Sequence, residues 1–555
     1  MTRPYQAKRP TSDSPNRTSP MKRTLYLPLL LVACGGRPDA WDRAFVPEKA
    51  VGLNDAVAVV DSTLDRALVL SSPGPFELRS DVVPIGKNAA TVQASPDGTR
   101  LFVLSKGVQP RRNADDQLPR LTLIDSVGGP KVIRDYEFND PVSGLILDPE
   151  LEWAVAYATA DDGRAVRNPN EIILINLKDT SADPINLTIQ SPLGSSPRRF
   201  TFTSTLQVPN GEPRRLLVVE TEREVTLLDL SEAENAGSRQ VTQPLPENQA
   251  GAISTPAEVV FHDRQVLTDA SGNEQVLVPE LAVRFSNDSS VLLLPLAAPP
   301  EGSERPFRLE PNIVDVGGQP STIEFVRTDD GIRLIALVSG GAALVDPRTS
   351  NVTPVSLPRS FTGITRVTDE LDGNAVGTDI ALLWSAQATT VALWNLGAAT
   401  ATASRGLNVL EIGTGISQVL DVPGEAFRTF KVLKSVGGDF FVLDLAARRS
   451  SPMSTNGRDF SLNLAPDGKR LWAYQPDGSQ FASIDLDTLH AITLSAERPI
   501  SGVFDIGRAN GEGRTALVLH QLDHDLGATL LNALDPDGAQ TRFYSGLVYE
   551  GLTHD

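Results

Sequence analysis

Apolar residues in this chain come in short consecutive runs, each closed by an aspartate or an asparagine, and the punctuation recurs. "LTLIDS" closes on Asp125, "IILINL" on Asn176, "VTLLDL" on Asp229, "AALVDP" on Asp346, "VALWNL" on Asn395, "FVLDLA" on Asp444, "ASIDLD" on Asp485 and "TLLNAL" on Asn532. A degenerate copy, "LLLPLA", puts Pro295 at the equivalent place, and successive closing positions lie 51, 53, 66, 51, 49, 49, 41 and 47 residues apart. Self-similarity at a nearly fixed period marks a repeat architecture, in which each unit buries its apolar faces against its neighbours. No segment from about residue 50 onward keeps a 3.6-residue apolar period, so the repeating elements read as strands.

A second strand precedes each closing strand. In "VQASPDGTRLFVL" (Val92 to Leu104) Pro96 presets φ for a turn, Asp97 can bond back to the main chain and Gly98 accepts a positive φ. Leu101 to Leu104 then place apolar side chains on both faces of one strand, which must lie in an interior layer. "LNLAPDGKRLWAY" (Leu462 to Tyr474) repeats the arrangement, and "RALVL" (Arg66 to Leu70), "EWAVAY" (Glu152 to Tyr157), "RLLVV" (Arg215 to Val219), "LIALV" (Leu334 to Val338) and "TALVL" (Thr515 to Leu519) are assigned to the same place in their units. With a final extended piece such as "VIRDYEF", a unit holds four antiparallel strands in about 50 residues, the content of a propeller blade. Candidate units begin near residues 51, 90, 142, 198, 252, 321, 365, 417, 460 and 501. The expected fold is therefore all-β, a β-propeller of eight to ten four-stranded blades, with residues 51–555 in one ring. The longest unit, Ala252 to Pro320, holds a polar insertion, "LAAPPEGSERPFRLEP", expected as a surface loop.

The "SPDGTRLFVL" and "APDGKRLWAY" stretches resemble the YVTN and WD40-like propeller repeats of bacterial envelope proteins. In those repeats a Pro-Asp-Gly turn leads into an apolar strand and a later strand closes on Asp. A second resemblance lies at the amino terminus. "MKRTLYLPLLLVACGG", from Met21, has two positive charges, an apolar run from Leu25 to Ala33 and then Cys34, the only cysteine of the chain. That run is too short to span a bilayer, which takes about 20 residues, and it reads as an export signal. Leu31-Val32-Ala33-Cys34 resembles the lipobox of bacterial lipoproteins. The resemblance implies cleavage before Cys34, acylation of that residue and attachment to a membrane through its lipid. The expected organisation is an N-terminal extension and signal peptide over 1–33, with translation from Met21 as the simplest reading, followed by a tether over 34–50. Gly35 after the cysteine is compatible with the outer membrane of a Gram-negative envelope.

Charge narrows the partners. The whole chain carries −19, and removing residues 1–33 leaves −24. Such a surface repels nucleic acid, so none is expected as a partner. With 43 glycines and 41 prolines the composition favours turns over long helices.

Candidate chemistry is sparse. Of five histidines (His262, His490, His520, His524 and His554), only His520 and His524 are close in sequence, within a segment that reads as strand, turn and strand. On an extended strand they would sit about 13 Å apart, too far for one ion. Gly413-Thr414-Gly415 lacks the third glycine and the βαβ context of a dinucleotide loop. Asp372, Asp535 and Asp537 lie on acidic turns without the alternating series that wraps calcium. Trp153, Trp394 and Trp472 are expected in blade cores, whereas Trp41 and Trp384 cannot be placed. No catalytic residue, cofactor or metal ligand is assigned. Two functions are carried forward. The first is a membrane-anchored envelope lipoprotein whose propeller binds or scaffolds a protein, glycan or small ligand. The alternative is a propeller enzyme resembling lactonases or quinoprotein dehydrogenases, for which only the repeats argue.

Overall fold

Ten antiparallel sheets of four main strands follow one another along the chain in the computed structural model. Residues 50–549 are described, apart from 192–195, 209–211, 238, 249, 269–273, 304, 329–330, 369–378, 397–405, 424–428, 454–459, 509–510, 512, 523–524, 537 and 539. Blades 1 to 10 open with the strands Val51–Gly52, Ala89–Ala94, Gly144–Leu147, Arg199–Leu206, Pro256–His262, Thr322–Thr328, Gly363–Thr368, Ile416–Asp421, Ser461–Leu464 and Gly502–Gly507. Strands pair in chain order within every blade, so no blade borrows a strand from another part of the chain. First strands of successive blades run beside one another and form the inner wall of the ring.

The apolar cores lie between blades. Ten buried clusters are found among the described residues, and each draws on two neighbouring blades. Leu101 and Val103 of blade 2 meet Val60 and Val69 of blade 1, for example, and Phe102 and Leu104 meet Ala154 and Ile173 of blade 3. The second strand of blade 2 (Arg100–Ser105) thus feeds one core with its odd positions and another with its even ones, which is why it is apolar on both faces. The tenth cluster joins Leu517 and Leu519 of blade 10 to Val57, Val59, Leu68 and Leu70 of blade 1. The ring is therefore single and closed with ten blades.

The recurrent Asp or Asn ends the third strand and shapes the turn after it. Asp125 Oδ1 accepts from Val127 N at 3.0 Å, Asn176 Oδ1 from the amides of Lys178 and Asp179, and Asp485 Oδ1 from those of Asp487 and Thr488. Asp229, Asp346, Asp444 and Asn532 do the same. These are Asx turns, in which a short side chain replaces a missing main-chain acceptor.

Two expectations need correction. "RALVL" is the third strand of blade 1 (Arg66–Ser71); the second is Ala56–Asp61, itself wholly buried. Both middle strands of a blade face cores on two sides, so burial pattern alone does not tell them apart. The insertion of blade 5 is also more than a surface loop. It comprises a hairpin, Gln265–Thr268 with Glu274–Leu277, and a loop between the third and fourth strands whose Phe307 is buried in the core shared with blade 4.

The repeated Pro-Asp-Gly turns make contacts between blades as well as reversing the chain. Gly98, at φ 68°, accepts from Asn54 N of blade 1 at 2.9 Å, and Asn54 Nδ2 donates to Asp97 O at 2.5 Å. Gly468, at φ 71°, lies so close to blade 8 that a Cβ there would sit 1.7 Å from Pro423 O.

Candidate functional site

Polar residues of the first strands face the inner wall, and many are spent on holding the ring together. Thr91 Oγ1 donates to Ser143 O at 2.6 Å and Gln93 Nε2 to Leu145 O at 3.1 Å, both reaching exactly one blade onward, 52 residues away. Asn463 Nδ2 donates to Val503 O at 2.7 Å, Arg366 Nη1 reaches back to Phe325 O, and Arg199 Nη1 donates to Ala257 O. Glu258 is similarly engaged: Arg284 Nε, Thr322 Oγ1 and Ile323 N converge on its carboxylate at 2.9–3.1 Å.

Glu324 differs. It sits on the first strand of blade 6, half-buried, with no hydrogen bond to its carboxylate among the described residues. Burial pushes its pKa up to about 7; Glu258 and Asp379 push the same way and Arg366 opposes them. Glu324 is thus poised to exchange a proton near neutrality, a property that composition and spacing gave no means of finding.

The mouth of the ring at blades 1 to 3 opens into a cleft of about 680 Å³. Asn88, Thr91, Gln93, Lys106, Tyr157 and Thr159 line it. Asp162, on the 3₁₀ turn Ala160–Ala165 of blade 3, organises this lining. Its carboxylate accepts from Thr159 N at 2.8 Å, from Ser143 N and Oγ, and pairs with Lys106 Nζ at 2.6 Å. Burial alone would raise the pKa of this group, but Lys106, Thr159 and Ser143 together hold it below the usual carboxylate range. Lys106 and Thr159 are thereby fixed in position before any ligand arrives. A neighbouring cleft of about 550 Å³ shares Tyr157 and Thr159 and runs to Arg198 of blade 4. The Tyr157 ring lies flat on the first strand of its own blade, where a Cβ on Gly144 would come within 2.5 Å of it, and packs against Phe200 at 4.5 Å.

The sequence candidates fall elsewhere. Cys34, Trp41, Asp372, His524, Asp537 and His554 lie outside the described residues. His490 and Asp535 are exposed. His520 is buried in the second strand of blade 10, with Nδ1 bonded to Pro499 O and Nε2 to Thr529 Oγ1 at 2.9 Å each. His262 is buried against Glu280, with Nε2 to Oε2 at 3.7 Å, at the far end of blade 5. No group of three or more His, Cys, Asp or Glu side chains suited to a metal occurs among the described residues. Gly413 to Gly415 link blades 7 and 8, and Gly415 leaves no room for a Cβ against Ala386 O. Trp394 and Trp472 are wholly buried and Trp153 nearly so, while Trp384 is half-buried over Gly363.

No protein-family model matches the chain, and no curated protein does. Many solved structures do. The dihydro-heme d1 dehydrogenase NirN in complex with DHE is 12% identical, with 74% of this chain and 76% of that one covered and a TM-score of 0.37. Sqt1 of Saccharomyces cerevisiae is 11% identical over 80% and 96% of the two chains, also at 0.37. Apo AztD from Citrobacter koseri is 13% identical over 72% and 95%, at 0.32. At TM-scores this low the likenesses carry no argument about this chain, whose propeller fold rests on its own sheet topology.

Proposed function

We propose that this chain is a cell-envelope lipoprotein, anchored through Cys34 in the outer membrane of a Gram-negative bacterium, whose propeller is a binding module for a protein or glycan partner. The observation that carries the binding reading is the mouth cleft of blades 1 to 3, where hydroxyl, amide and ammonium groups surround Tyr157 and are held in place by Asp162. Preorganised polar groups beside an aromatic ring suit a ligand rich in hydroxyls or amides, since little side-chain freedom is lost on binding. The sequence supports the anchor through "LVAC" after a short apolar run.

The test is a photo-crosslinking amino acid placed at Ala90, an exposed position in the cleft, in living cells. A discrete adduct is expected at Ala90, lost when Lys106→Glu is added, and absent with the same crosslinker at the exposed Val409 on the outer strand of blade 7. Equal labelling at both sites would refute the cleft as the binding face.

A further inference from the structure

Separate from the mouth cleft in its lining residues, and independent of the binding role given to it, the seam between blades 9 and 10 contains a pocket of about 310 Å³. Phe481 and Leu494 from blade 9 and Val518, Leu531 and Phe543 from blade 10 supply its apolar walls, and the exposed Ser495, Glu497 and Thr541 also line it. Two polar side chains intrude, His520 and Thr529, but they satisfy each other, and His520 Nδ1 donates to Pro499 O. Burial holds the pKa of His520 below its ordinary value, so the imidazole is neutral at physiological pH and brings no charge.

The charge comes from Arg498. Its guanidinium lies over the Phe543 ring, 3.7 Å from the centroid, at the edge of the pocket. It has no ion-pair partner among the described residues, although the chain is strongly acidic and many of its arginines are paired. Stacking orients the guanidinium and leaves its edge donors available, the geometry that suits a carboxylate. The volume lies at the small end of pockets that hold organic ligands.

We propose that the pocket between blades 9 and 10 binds a small carboxylate with an apolar tail, the carboxylate on Arg498 and the tail against Phe481, Val518, Leu531 and Phe543. Charge complementarity selects the head and the apolar walls select the tail. A neutral amphiphile of the same length lacks the first of these and binds less tightly.

Calorimetric titration of the full-length protein with octanoate and with octan-1-ol tests this. Octanoate is expected to bind saturably and more tightly than octan-1-ol. Arg498→Gln should weaken octanoate about tenfold or more, the scale of a charged hydrogen bond, while Arg498→Lys restores part of the affinity. Ala496→Trp, which fills the half-buried rim, should abolish both ligands; circular dichroism and an unchanged melting temperature establish that each variant is folded. The proposal fails if octanoate shows no saturable binding. It fails equally if folded Arg498→Gln or Ala496→Trp protein binds octanoate as the parent does.

Discussion

Arg66 of blade 1 donates through Nη2 to the main-chain carbonyl of Val548, 482 positions later, and through Nε to Asp61 at 3.2 Å. Arg66 and Asp61 are both buried. The pair therefore ties the seam between the first and last blades from inside. Removing one partner of a buried ion pair strands the other in a poor dielectric, at a cost of about 3–5 kcal/mol. Arg66→Ala is expected to lose that much in urea unfolding and to open the C-terminal end to limited proteolysis. A loss below about 1 kcal/mol, the value of an exposed pair, would show that the seam is held by apolar contact alone.

Glu324 makes stability depend on pH in a definite direction. Its folded pKa of about 7 exceeds the ordinary 4.5, so between those values the folded chain holds a proton that the unfolded chain has released. Stability is highest below that window and falls as pH rises through it. Glu324→Gln should abolish this component, flattening the decline between pH 5 and 8 by on the order of 1–3 kcal/mol. Parallel pH-dependent slopes for parent and variant would contradict it.

Gly468 and Gly340 both have positive φ, at 71° and 80°, but differ in their surroundings. A Cβ at 340 meets nothing within 4 Å, whereas one at 468 collides with Pro423 O. Gly340→Ala should cost about 1 kcal/mol for the positive-φ backbone alone. Gly468→Ala adds displacement of blade 8 and should cost about 2–4 kcal/mol in total. Thermal melts of the two variants separate the contributions, and equal costs would mean that the loop at Pro423 yields freely.

Acylation at Cys34 is checked by metabolic labelling with a radioactive fatty acid. Label is expected in the parent and absent in Cys34→Ala, with the variant moving from the membrane to the soluble fraction. Retention of label and of membrane association by Cys34→Ala would rule the assignment out.

What could be read from the sequence was local. Asp125 and its equivalents act on amides two or three residues away, so their role leaves a short fixed pattern that survives in each unit. Asp97 and Gly98 likewise build a turn within a few residues, and the units they punctuate start within a few positions of the observed blades. The ambiguity between Arg66–Ser71 and Ala56–Asp61 has the opposite origin: both strands meet the same environment, so their composition converges. The functional features arise between units. Glu324 owes its pKa to burial and to charges on blades 5 and 7, and Arg498 faces a pocket whose walls are shared by two blades. No spacing along the chain encodes either, because each depends on how neighbouring blades meet.

The seam between blades 10 and 1 is made by side chains and loops: Arg66 on Val548, Tyr544 Oη donating to Phe76 O at 2.8 Å, and Ser72 Oγ with Thr515 Oγ1 at 3.1 Å. Every blade keeps its own four strands, so inserting or deleting one whole unit would leave every remaining β-ladder intact. Only the wedge angle at each interface would have to adjust. Such a ring can change its circumference by duplication or loss of a gene segment, with the residues at one joint as the sole part that must be fitted anew.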